Sequence, residues 1–316
     1  MQLVSVKKMK ILLLTILLIS CGRHEAKSPQ SVDTDYFAAK DDIYSAESMQ
    51  LIYEKGFVHA PGDDLLFRCL GVYSGLALDY SAHESGAEPG RLFRWTDHEI
   101  YDKGLTASDF SKDMMKGFMF CVLAKKDIAI LDRVILYLEN HAYFSGRGDI
   151  TRTYITPSLM DQIRRVRRFL NGNRDENTPT SFLLDDTENS EDGIFIRSGF
   201  EAHLQVIDAL LEGIINRSIS QVSLSVLKAQ ANRQPRNALF QAVLHLFTTG
   251  DQTIAQNILK DETLFPKDRL PTARDRSEDY LWQRDDEPKD WSSEDIDKQH
   301  FGIDYLFVRK IIKGIL

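Results

Sequence analysis

The chain has 316 residues, of which 39 are basic and 47 acidic, giving a formal charge of −8 at neutral pH. That balance excludes the usual electrostatic basis for gripping nucleic acid, because neutralising phosphates needs a face rich in Lys and Arg. A 43% hydrophobic content supports a sizeable core, and with no internal linker residues 41–316 read as a single domain.

The first segment carries Lys7, Lys8 and Lys10, then the apolar run Ile11–Ile19, then Ser20-Cys21-Gly22. A basic start, a short apolar core and a small-residue cleavage point are the parts of an export signal. The run is shorter than the ~20 residues a membrane-crossing helix needs. Leu18-Ile19-Ser20-Cys21 resembles the lipobox of bacterial lipoproteins. The resemblance implies a signal peptide over 1–20, diacylglycerol on the thiol of Cys21 and a further acyl chain, such as palmitate, on its amine. Gly22 after the cysteine implies sorting to the outer membrane, with the membrane itself as a partner through the anchor. Losing three lysines with the leader would take the formal charge from −8 to −11. Residues 21–40 are polar and read as a flexible tether.

Beyond it, apolar residues recur at helical spacing and no long stretch alternates as a half-buried strand does. The spacing predicts an all-α chain with helices over 41–55, 63–77, 108–125, 127–142, 157–171, 199–216, 219–232, 237–249, 251–260 and 303–315. Ser111 and Ser198 stand at capping positions, Thr156-Pro157 places a proline at a first helical position, and Gly250-Asp251 makes a short turn. Met114–Leu123 and Leu239–Phe247 are apolar nearly all round, as interior helices are, whereas 127–142 and 219–232 have one polar face. Arg164-Arg-Val-Arg-Arg168 reads as a solvated helix face. Cys69 and Cys121 lie in apolar helical stretches. In an oxidising compartment they either bridge two packed helices or stay as two buried thiols.

Inner and outer helices in partial alternation resemble the α/α-toroid class of carbohydrate-active proteins, in which helical hairpins form two concentric rings. The resemblance covers 41–316 and carries no diagnostic motif. It implies that polar groups at the starts of inner helices converge at one end. Here those starts hold Asp64, Asp113, His203 and, with His300, Asp304. Two carboxylates flanking a sugar bond act as acid and base, or as acid and nucleophile. Asp64 and Asp113 are the candidate pair, His203 is a candidate proton-transfer group, with a histidine bonded within the core as the alternative, and His300 and Asp304 are candidate substrate contacts. The competing explanation is electrostatic: a carboxylate in a first turn complements the helix dipole without any function.

The segment Lys267–Trp291 has fourteen charged residues among 25, interrupted by Tyr280, Trp282 and Trp291. Aromatic faces framed by charges suit sugars and other polar ligands, which makes Arg274, Arg276, Glu278, Trp282, Arg284 and Asp285 candidate contacts. Trp95, in the loop over 78–107, is another. The alternative is a structural loop with internal ion pairs. No zinc motif, nucleophile elbow or phosphate-binding loop occurs, so no metal or cofactor is expected. The sequence thus leads to the expectation of a lipid-anchored envelope protein that binds a polysaccharide or peptidoglycan-like glycan, with cleavage as hydrolase or lyase as the catalytic form of that reading. A non-catalytic helical scaffold or binding lipoprotein is the alternative.

Overall fold

A computed structural model describes residues 34–55, 64–96, 110–146, 152–173, 182–183, 196–272, 275 and 302–314. Among them the chain is all-α, with helices α1 (Thr34–Lys55), α2 (Asp64–Tyr73), α3 (Lys112–Lys125), α4 (Ile128–Asn140), α5 (Pro157–Leu170), α6 (Gly199–Asn216), α7 (Gln221–Arg233), α8 (Ala238–Phe247), α9 (Thr253–Lys260) and α10 (Ile303–Lys313). One small antiparallel pair, β1 (Phe144–Ser145) with β2 (Thr153–Tyr154), precedes α5.

Each predicted helix has a counterpart; α2 stops at Tyr73, short of the expected 77, α3 starts at Lys112 and not at 108, and the largest change is at the first helix. The first helix begins at Thr34, so residues 34–40 belong to it and not to a tether. The cause is packing: Phe37 is fully buried and Lys40 nearly so. The Lys40 ammonium donates to the carbonyl of Leu259 at 2.7 Å and to that of Phe265. It also lies 5.4 Å from the ring centre of Tyr305. The polar look of 34–40 hides these contacts because their partners are more than two hundred residues away.

Contacts between helices run from α2 to α3, α3 to α6, α6 to α8, α8 to α10, and α10 back to α2. The outer helices pack on this circuit, with α7 on α6 and α8, α9 on α8 and α10, and α1 on α10. The burial pattern agrees. Every residue of α2 is buried, as is all of α6 from Ala202 to Ile215, whereas α7 and α9 bury only one face.

Two glycines set the closest approaches. A Cβ on Gly117 would sit 2.5 Å from Leu66 Cα, so α2 and α3 can meet only at a residue with no side chain. One turn on, Cys69 and Cys121 are joined by a disulfide with their Cα atoms 4.7 Å apart. The two contacts advance together along both helices, so α2 and α3 run parallel. On α6, a Cβ at Gly213 would fall 1.9 Å from the Phe247 ring. That contact and the one between His203 and Asn237 make α6 and α8 parallel too.

Helix ends follow local chemistry. The Thr156 hydroxyl accepts from Leu159 N, with Pro157 in the first turn, and Asn237 Oδ1 accepts from the amides of Leu239 and Phe240. Ser111 and Ser198 hold the expected N-cap positions without a capping side-chain bond. α3 and α6 end on left-handed residues that are not glycine, Lys126 at φ 53° and Arg217 at φ 59°. The basic run of α5 is more than a solvated face. Arg164 and Arg167 pair with Glu139 and Asp132 of α4, while Arg165 is buried against Phe182 and donates to Asn216 Oδ1 at 3.1 Å.

Candidate functional site

Asp64 opens α2 and is 1% exposed. Four residues on, one turn along the same face, Arg68 Nε donates to Asp64 Oδ1 and Nη2 to Oδ2, both at 3.1 Å. The remaining guanidinium nitrogen of Arg68 donates to the Asp79 carbonyl at 3.3 Å. His83, itself fully buried, places Nε2 3.4 Å from Asp64 Oδ2 and Nδ1 3.1 Å from the Phe93 carbonyl oxygen. The Leu65 amide donates to the Arg94 carbonyl. The start of α2 is therefore stitched to the segment 79–94 by an Arg–Asp–His cluster. Two-pronged guanidinium contact holds a carboxylate in its charged form. That arrangement suits an ion-pair anchor better than a general acid, which must carry a proton to deliver.

His203, in α6, is 1% exposed. Its Nδ1 lies 3.3 Å from the Gly199 carbonyl oxygen, and its Nε2 3.1 Å from the Asn237 amide nitrogen. The network assigns one tautomer, with Nδ1–H donating to the carbonyl and Nε2 accepting from the amide. Burial pushes the imidazole down to about 3, opposed by the bond to Gly199. A ring kept neutral through the physiological range with both nitrogens occupied braces α6 against α8. It has no proton to exchange near neutrality.

The other predicted residues are placed as follows. Asp113 lies in the first turn of α3, half-buried, at the end of the parallel α2/α3 pair where Asp64 also sits. Trp95 is half-buried just past the segment bonded to Asp64 and His83. Asp304 is buried in the first turn of α10. Arg274, Arg276, Glu278, Trp282, Arg284, Asp285, His300 and Cys21 lie outside the described residues. Two open grooves on the described surface are lined by none of the predicted residues. One, of about 520 Å³, runs between α4 and α5 past Leu136, Glu139 and Arg164; the other, of about 280 Å³, lies along α9.

Sequence reasoning missed His83, Lys40 and Asn237. Each takes its role from partners far along the chain, and none stands in a pattern of its own. Among the described residues no group of three or more His, Cys, Asp or Glu is placed to hold a metal ion, and no helix is long and apolar enough to cross a membrane. Comparison with protein-family models, with curated proteins and with solved structures finds no match to this chain.

Proposed function

We propose that the protein is a non-catalytic, lipid-anchored helical binding protein of the bacterial cell envelope, with an envelope glycan as its partner class. The observation that carries the non-catalytic half is the commitment of Asp64 and His203 to internal partners: Asp64 to Arg68 and His83, His203 to Gly199 and Asn237. The envelope half rests on the lipobox-like Leu18–Cys21 segment, and the Cys69–Cys121 bond supports it, since such bonds persist in oxidising compartments. The glycan half rests on the tryptophan-bearing, charge-dense stretch over 267–291.

Two measurements test it. Metabolic labelling with an alkyne fatty acid should mark the wild-type chain and spare Cys21→Ser; equal labelling of both discards the anchor. Incubation with insoluble peptidoglycan should retain the protein in the pellet and release no new reducing ends or unsaturated products. Release that disappears in Asp113→Asn while the fold stays intact would restore the enzymatic reading.

A further inference from the structure

α1 and α10 are antiparallel. Ser48 accepts from Gly302 N at 2.8 Å, Tyr44 packs on Tyr305, and Asp41 and Phe37 both meet Arg309. The first helix therefore begins beside the end of the last one. α10 carries Lys310 and Lys313 in its final turn, and Lys310 Nζ lies 6.0 Å from the centre of the Tyr73 ring at the end of α2. Because α2 and α3 run parallel, α3 finishes at this end as well, with Lys125 and Lys126 both exposed. Four lysines thus gather where the chain enters the domain, although the protein as a whole is acidic.

Among the described residues no carboxylate pairs with Lys125, Lys126 or Lys310, and Lys313 shares Asp41 with Arg309. Favourable placement near helix C-termini accounts for lysines in the last turns. Lys126 stands at the left-handed C-cap of α3, as Arg217 does at that of α6, so what marks this surface is the gathering of the lysines and not the backbone.

We infer that this lysine-bearing end is a docking surface for anionic phospholipid headgroups, which turns the start of α1 toward the membrane. The inference rests on the anchor at Cys21. Twelve residues, or thirteen Cα–Cα steps, lie between Cys21 and Thr34, a reach of ~45 Å at most. An anchor at that distance along the chain does not by itself fix the orientation of the domain, and the lysines select one. Each lysine near a negatively charged surface strengthens binding about fivefold at ordinary ionic strength.

The test avoids dependence on cellular lipidation. With Cys69 and Cys121 bonded, Cys21 is the one free thiol. The chain from residue 21 onward, which contains the whole described fold, is coupled through it to maleimide lipid in vesicles of either phosphatidylglycerol or phosphatidylcholine. Lysine acylation read by mass spectrometry should slow at least fivefold at Lys125 and Lys126 on phosphatidylglycerol. Lys112, at the other end of the same helix, should react alike on both surfaces, and 1 M salt should abolish the difference. The variant Lys125→Gln with Lys126→Gly should melt no lower than wild type yet lose the protection of Lys310 and Lys313. Equal reactivity on the two vesicles, or equal protection of Lys112, overturns the surface. Fatty-acid labelling of Cys21 in cells judges the anchor separately: protected lysines without labelling leave the surface standing, and labelling without protection leaves only the anchor.

Discussion

The starts of α2 and α6 look alike in sequence, since each puts a titratable side chain near the first turn of a helix that is buried all round. They solve the burial problem in opposite ways. At α2 the charge is kept and matched, with Asp64 gripped by Arg68 and faced by His83. At α6 the charge is given up, and His203 sits neutral between a carbonyl and an amide. The difference teaches that position in a helix does not fix what a polar residue does. A guanidinium four residues on makes one kind of site, and an asparagine on the neighbouring helix makes the other.

The sharpest way to break the comparison is to remove a partner. Arg68→Met leaves the Asp64 carboxylate buried without its guanidinium and is expected to cost about 3–5 kcal/mol in urea unfolding, whereas Arg68→Met with Asp64→Leu recovers most of that loss. If Arg68→Met alone costs under 1 kcal/mol, Asp64 is not held as a matched charge. Close in size is the Cys69–Cys121 bond beside it. Its loop spans 52 residues, for which chain-entropy reasoning gives about 4 kcal/mol on reduction, measured by unfolding with and without dithiothreitol.

The neutral site gives a smaller and pH-dependent effect. His203→Leu leaves one N–H of the Asn237 amide without its acceptor, while the same nitrogen keeps its bond to Gln234 Oε1 at 3.0 Å, and should cost about 1–3 kcal/mol at pH 7. The ring titrates near 6.5 when unfolded and is lowered to about 3 when folded, so between those values the unfolded chain binds the extra proton. Its contribution is complete above pH 6.5 and is lost as pH falls toward 3, at up to about 1.4 kcal/mol per unit. Acid unfolding of His203→Leu should show a shallower limb over that window, and an unchanged slope would remove the neutral assignment. Smallest of all, Arg164→Ala breaks an exposed pair with Glu139, whose side chains are each 42% accessible, and should cost below about 1 kcal/mol.

Helical periodicity made the ten helices readable because it depends only on neighbours three and four residues away. Thr156-Pro157 worked for the same local reason. The beginning of α1 was hidden because Lys40 reads as polar until its distant carbonyl partners are in place. The site was half legible. Asp64 and His203 were singled out as catalytic candidates at the starts of helices that read as interior, and both are buried, where such residues need partners. What they do was not legible, because His83 and Asn237 announce themselves only in three dimensions. The disulfide was one of two options the sequence left open, and the parallel approach of α2 and α3 at Gly117 is what brings the two sulfurs together.

The clasp between the first and last helices bears on how the molecule is made. Asp41 meets Arg309 across 268 residues of chain, so the opening helix leaves the ribosome long before its counter-charges exist. Until residues 303–313 have been synthesised, α1 lacks the half of its seat that α10 provides, and contacts of such long range are the slow ones to form. A chain whose ends clasp each other stays open until the last helix has been made.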